Sequence, residues 1–527
     1  MKKIYIHFCF LFIAAASLTA CKKTLEESYN NPEKSTVQSI PTFFTAMLNS
    51  DRIRPAYWNV RTFLLPHTAV YSQTASFYNG NDVFKQSDSY VGNYWSDFYY
   101  PAGNGSGPMA LYRQMQTTYK SLSAADQASQ AIFLQAAKIE LIDQAAQMVD
   151  LWGDIPYTET GSLETSSTIK NPNFDDAKTL YTSFISDLDA ASTYFSTAVT
   201  TTSFTKQDIL LAGNTDRWRR YANSLRLRLL MRISFEDEAT AKAAITAMLA
   251  NPTQYPLLDG GNTGAYNPSG NDVLLTPLTT NNDNLNSALT EINSSYATDY
   301  LLNKVMLPAN DPRIPVWYDK FGTTTDDGFV PNKTYRAMPV TYTTGQSDTA
   351  YSHYSTLDSA TFLQNKNLPG IVFTSAEVNF LKAEAFERWG GGNAQAAYET
   401  ALTQSVYFYY YLHGLGTNTP ITPATADITA FLTAANVAYT GSSTEKLAKI
   451  WIQKWANFGF LQSKEAWAEY RRTKYPVLTF PTAGKLTGYE TPPNRLQYPI
   501  VETGYNSNYS KVQAKDTRLA KIFWDVK

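Results

Sequence analysis

Two cysteines and four histidines are all that this 527-residue chain contains, and both scarcities exclude chemistry. Cys9 falls inside an apolar run near the N-terminus and Cys21 just behind it. Beyond them no thiol remains for a disulfide, a nucleophile or a thiolate metal site. His67, His353 and His413 stand far apart, and H-E-x-x-H, C-x-x-C and G-x-S-x-G are all missing. The glycine-rich "GNGSGP" (103–108) lacks the Lys and Ser/Thr of a phosphate loop and reads as a turn. Charge is sparse as well, at 17% of residues against the usual quarter. Lys plus Arg (44) nearly balance Asp plus Glu (46), so the basic footprint of a nucleic-acid binder is absent. Forty-six carboxylates allow many pairs, but no motif recommends one as a glycosidase acid and base.

What is present begins with export. Lys2 and Lys3 precede an apolar run from Ile4 to Ala16, shorter than the roughly 20 residues that span a bilayer. Leu18-Thr19-Ala20-Cys21 follows and resembles the lipobox of bacterial lipoproteins. The reading is a signal peptide over 1–20, with Cys21 as the lipidated first residue of the mature protein. Several acyl chains on one residue hold a protein firmly to a membrane. Residues 21–36 read as a polar, lipidated tether, and 37–527 as an α-helical domain. A hydrophobic content of 43% supports a sizeable core.

Helical periodicity dominates that domain. Ile132, Ala136, Ile139, Ile142, Ala146 and Val149 predict one long helix from Ser123 to Trp152, stopped by Gly153 and Pro156. Further helices are expected over 174–191, 216–234, 238–251, 377–389 and 393–412, the fourth of these opened by a Thr374–Glu377 capping box, and in a block from 443 to 476. Ala394, Tyr398 and Ala401 after Leu381 and Ala385, and Ala177 with Tyr181 earlier, resemble tetratricopeptide units. Repeats therefore fall within about 107–250 and 374–470. Between them, 251–373 is rich in Gly, Asn, Ser and Thr and reads as an irregular insertion. It holds a helical piece near Tyr296 to Lys304 and short strands around "KTYRAMPVTY" (333–342). The fold class is all-α: tetratricopeptide-like repeats with a loop-rich insertion carrying short strands. The Asn/Asp loops at 281–284 and 324–328 lack EF-hand spacing, so no metal or cofactor is expected.

Aromatics are the chain's wealth: 36 Tyr, 27 Phe and 10 Trp. The densest cluster, residues 76–100, mixes rings with Asn, Asp and Ser. Flat rings edged by hydrogen-bonding groups suit a carbohydrate. Arg217, Arg219, Arg220, Arg226, Arg228 and Arg232 crowd one helix, where pairing with acids of neighbouring helices is the reading preferred over an anion site.

With these residues laid out, the chain resembles the SusD/RagB family of Bacteroidetes outer-membrane lipoproteins, in its SusD-like nutrient-binding branch. The resemblance rests on the lipobox, "AAQMVDLWGDIPYTE" (145–159), "YTSFISDLDAA" (181–191) and "RWRRYANSLRLRLLMRIS" (217–234). "DPRIP" (311–315), "SAEVNFLKAEAFERWG" (375–390), "EAWAEYRRTKYP" (465–476) and "RLQYPIVETGYNSNYS" (495–510) complete the order. It implies a helical fold around four tetratricopeptide-like units and a non-catalytic, surface-facing, glycan-binding lipoprotein. Its implied partner is a SusC-like TonB-dependent transporter of the outer membrane. It also implies that aromatics before the first repeat and in the irregular part meet the glycan. In those zones the candidates are Tyr78, Tyr94, Trp95 and Tyr99, then Tyr266, Trp317 and Tyr335. A peptide-binding or scaffold lipoprotein is the alternative, and a surface glycosidase the remoter one.

Overall fold

The computed structural model describes residues 39–75, 79–101, 106–166, 168, 170–261, 265–277, 285–291, 295–325, 328–342 and 353–527. The expected signal peptide, Cys21 and the tether lie outside them. So do Tyr78 and the Asn/Asp loop at 281–284.

The chain enters through α1 (Ile40–Leu48), whose first turn is closed by the Ser39 hydroxyl accepting from the Thr42 amide. A short helix, Tyr57–Asn59, runs into a π-helical segment, Val60–Ala69. Then come α2 (Asp88–Tyr99), α3 (Pro108–Ser121) and the long α4 (Ala124–Trp152). The Ser123 hydroxyl caps α4 by accepting from the Asp126 amide at 3.2 Å, and Gly153 ends it at φ 82°. α5 (Ala177–Phe195), α6 (Thr215–Arg232) and α7 (Glu238–Ala250) follow. α5 packs on both α4 and α6. Asp154, in the turn after α4, accepts from the Ala177 amide at 3.0 Å and so fixes the start of α5. The same turn receives the end of the chain: Trp152 Nε1 donates to the Gln497 carbonyl, and the Tyr498 hydroxyl to the Asp154 carbonyl.

The second half of the frame is α8 (Ser375–Trp389), α9 (Ala394–Leu415), α10 (Ser443–Phe458) and α11 (Ser463–Thr473). α8 and α9 pair closely, with Tyr398 and Ala401 fully buried and Tyr398 beside Phe380. Small residues facing large ones let paired helices nest. The capping box at Thr374 forms only by half. Its hydroxyl accepts from the Glu377 amide, but the Glu377 carboxylate turns inward to Arg228 at 2.6 and 2.7 Å. The block from 443 to 476 is two helices rather than one. Gly459 breaks it at φ 53°, where a Cβ would come within 2.4 Å of the Trp317 ring.

Arg228 and Arg232 of the arginine-rich helix are buried among Glu377, Glu465 and Asp150. Arg219 and Arg220 hold the carbonyls of Gln254 and Leu257 at the start of the irregular part. Among the described residues that part has six short strands in three antiparallel pairs: β1 (Val273–Leu275) with β6 (Gly370–Phe373), β2 (Tyr318–Asp319) with β5 (Thr356–Leu357), and β3 (Gly322–Thr325) with β4 (Gly328–Pro331). In the stretch expected to form strands, the described residues make only a bridge from Met338 to Thr298. The expected helical piece is a π-helical turn, Tyr300–Met306. Among the described residues no helix is long and apolar enough to cross a membrane.

Candidate functional site

A cleft forms where three remote segments converge: the end of the π-helical run, the irregular part, and a loop near residue 480. The run leaves its helix through Gln73, held at φ 52°, whose side-chain amide donates to the Thr479 carbonyl at 2.7 Å. Farther on, the Asn79 amide donates to the Tyr342 carbonyl at 2.7 Å, tying this segment to the irregular part. Lys485 donates to the Asn79 side chain and, at 2.9 Å, to the Gly80 carbonyl. The Leu486 amide donates to the Asn81 carbonyl, so the third segment is stitched on as well.

The cavity so enclosed is narrow, about 50 Å³, below the roughly 300–1,000 Å³ that encloses a whole small molecule. Val70, Val83, Met338, Val340 and Pro481 supply aliphatic walls, and Phe84 and Phe480 meet edge to face at 5.7 Å. Gln73, Asn79 and Asp299 supply the polar edge, with Asp299 accepting from Asn303 at 2.7 Å. Its apolar wall, oriented amides and single carboxylate suit the edge of a flat, neutral, hydroxylated ligand resting at its mouth rather than one enclosed within it. Asp299 is the sole carboxylate among the described lining residues. A carboxylate pair of the glycosidase kind is therefore not assembled there. Among the described residues no cluster of His, Cys, Asp or Glu is arranged to hold a metal.

The rings singled out in sequence do not converge on this cleft. Tyr94 is 2% exposed, stacked 3.7 Å from Phe63 with the Arg52 guanidinium 4.0 Å from its ring centroid. Trp95 is 1% exposed, edge-on to Trp152 and Tyr498, and its Nε1 donates to Glu502 at 3.1 Å. Both lie on α2 with Val91 and Phe98, a 3–4 spacing that turns one helical face into the core. Tyr99 is half-buried between Trp95 and Phe98, and burial pushes its hydroxyl well above the usual phenol range. Trp317 is 1% exposed, enclosed by Phe362 and Tyr409. So deeply covered, Tyr94, Trp95 and Trp317 have no surface left for a sugar. The expectation for these three is corrected to packing. Tyr266 donates to Asp272 at 2.7 Å and lines a different groove, beside α9. Tyr335 is half-exposed, 5.3 Å from Lys320. The zones named from sequence do meet; Tyr94, Trp95 and Trp317 within them are packing, while Tyr266 lines a roomier groove of about 810 Å³ and Tyr335 is half-exposed. Gln73, Asp299 and Phe480 were missed, and Asn79 and Phe84 lie inside the flagged cluster 76–100 without having been singled out. Nothing local marks a residue whose partners lie hundreds of positions away.

The family model described as "Starch-binding associating with outer membrane" matches residues 61–499, well over half of the chain. The chain belongs to the SusD-like family. Solved structures agree on the fold of this SusD-like chain. It is similar to a chitin-binding protein at 22% identity, covering 92% of this chain and all of that one, with a TM-score of 0.71. A SusD homolog from Bacteroides ovatus is 19% identical over 93% of this chain and 99% of its own, with a TM-score of 0.71. A chitin-binding SusD homolog from Flavobacterium johnsoniae is 21% identical over 93% and 99%, with a TM-score of 0.67. No curated protein matches the chain.

Proposed function

We propose that this SusD-like protein captures a neutral oligosaccharide across the mouth of the narrow cleft between the π-helical run, the irregular part and the loop at Phe480. The observation that carries this reading is the cleft's lining, apolar walls with an edge of amides and one carboxylate, in a chain whose family description names starch. The chitin-binding proteins of the same fold support the ligand class. Binding without catalysis is supported by a lining that offers one carboxylate. Anchoring through Cys21 holds the cleft at the outer membrane, where a SusC-like TonB-dependent transporter takes the ligand onward.

A glycan-array screen of the full chain tests the reading. Retention by one polysaccharide class is expected, weakened about tenfold in Phe480→Ala and with no shortened products after prolonged incubation. Silence across the array together with binding of extended peptides would overturn it. Metabolic labelling with a fatty-acid analogue tests the anchor: label is expected on the wild type and absent from Cys21→Ala.

A further inference from the structure

Of the ten tryptophans, Trp58 is the one that lies open, at 51% exposed. The other nine are buried or partly buried, so this indole stands apart from them with its face available to a ligand. Its neighbour Tyr57 stands across it, ring centroids 5.0 Å apart and planes at 78°, so the two rings form a corner. The Tyr57 hydroxyl donates to Glu291 Oε2 at 2.5 Å, and Arg61 Nε donates to the same oxygen at 2.7 Å. Arg61 Nη1 reaches the Tyr90 hydroxyl at 3.3 Å. Both bonds to Glu291 fall on Oε2. The Trp58 carbonyl takes the Thr62 hydroxyl at 2.6 Å, which fixes the turn that carries both rings.

The chemistry of this corner selects its occupant. Arg61 is neutralised by Glu291, so an anion gains little there. A cation drawn to the two rings would have to displace Arg61 from the carboxylate. An apolar protein surface laid on Trp58 would strip water from the Glu291–Arg61–Tyr90 chain and return no hydrogen bonds. A neutral ring with one apolar face and an edge of hydroxyls satisfies both parts at once. Trp58 and Gln73 are separated by a mostly helical stretch of roughly 15–20 Å. The corner is therefore not part of the cleft.

We propose that Trp58 and Tyr57, with Glu291 and Arg61, form a second sugar-binding subsite, one ring stacked on Trp58 and its adjacent hydroxyls bonded to Glu291 and Arg61. The inference rests on the glycan reading of the cleft and extends it. Two subsites on one polymer raise avidity beyond either alone.

The test labels the full chain with fluorotryptophan and follows the Trp58 fluorine resonance, assigned with Trp58→Phe. Glucose, N-acetylglucosamine, xylose and mannose are titrated separately, with tetramethylammonium as the cation control. A shift with at least one sugar is expected, weakened about tenfold in Glu291→Gln. A resonance unmoved by all four sugars, or moved only by tetramethylammonium, overturns the subsite. Phe480→Ala is expected to weaken polysaccharide retention about tenfold while leaving the Trp58 shift intact. Loss of retention alone in the wild type counts against the cleft, and loss of the Trp58 shift alone counts against the corner.

Discussion

In the helical frame Glu384 and Glu469 lie buried between Arg472 and Lys454, at 2.5 to 3.4 Å, whereas in the irregular part the buried bulk is Trp317 against Tyr409 and Phe362. One interior is held by ions and the other by rings. Burial by itself raises the carboxyl of Glu384; Arg472 and Lys454 overcome that and hold it well below the usual carboxylate range. In the same way Glu469 is brought down to about 2. Buried ion pairs of this kind add little over well-packed hydrophobes but are costly to break, so they select one arrangement of the helices. In the irregular part the DPRIP stretch contributes such a pair, Arg313 to Asp311 at 2.6 Å, and Arg313 then reaches Ser405 on α9 and Gln453 on α10. That arginine fastens the ring-filled part to the ion-filled one.

The contrast is easiest to break at Glu384. Glu384→Ala leaves Arg472, Lys454 and Arg388 without their shared carboxylate and is expected to cost about 5 kcal/mol, measured by denaturant unfolding. Trp317→Ala empties a ring-lined space instead and is expected to cost about 4 kcal/mol while leaving the ion pairs of the frame untouched. A loss below about 1 kcal/mol would mean that the ring is not packed as described.

Acid sharpens the comparison further. His67 is buried at the end of the π-helical run, with its Nε2 accepting from the Ser87 amide and its Nδ1 facing the Phe63 carbonyl. Burial pushes it down to about 4, so the folded state keeps it neutral. The unfolded chain takes up the proton near pH 6.5. The stability that neutral His67 contributes is complete above that value and is lost as pH falls from about 6.5 through about 4, by about 3 kcal/mol. Over that interval Glu469 stays charged, and the pairs it makes in the frame hold. Melting curves at about pH 7 and about pH 4.5 are expected to show this loss in the wild type and a flatter profile in His67→Phe. The smallest stability effect is expected at the cleft. Phe480 is half-exposed. Its replacement by Ala is expected to cost about 1 kcal/mol of stability, yet to lower glycan affinity about tenfold.

Three of the motifs that carry the family resemblance prove to be these fasteners. Glu377 in SAEVNFLKAEAFERWG meets Arg228 in the arginine-rich stretch, Glu465 and Glu469 in EAWAEYRRTKYP meet Arg232, and Arg472 meets Glu384. The start of α4 was legible because Ser123 and the Asp126 amide are three residues apart, and its end because Gly153 follows directly. The split at Gly459 was not legible, since the ring that crowds it belongs to Trp317, far back in the chain. Val91, Tyr94, Trp95 and Phe98 carried a readable core spacing, and the density of polar residues around them pointed the other way.

By itself the sequence determined the helices, their caps, the irregular stretch between them and the family. Each of these is written in contacts that close within a few residues, or in an ordered set of motifs. The tertiary structure alone decided which rings are walls and which are open. Trp95 and Trp317 are closed by Tyr498 and Tyr409, and Trp58 is left open to solvent, because exposure depends on what the rest of the chain lays over a ring. It also decided the cleft, whose parts at Gln73, Asp299 and Phe480 meet only after the helices between them have folded and packed.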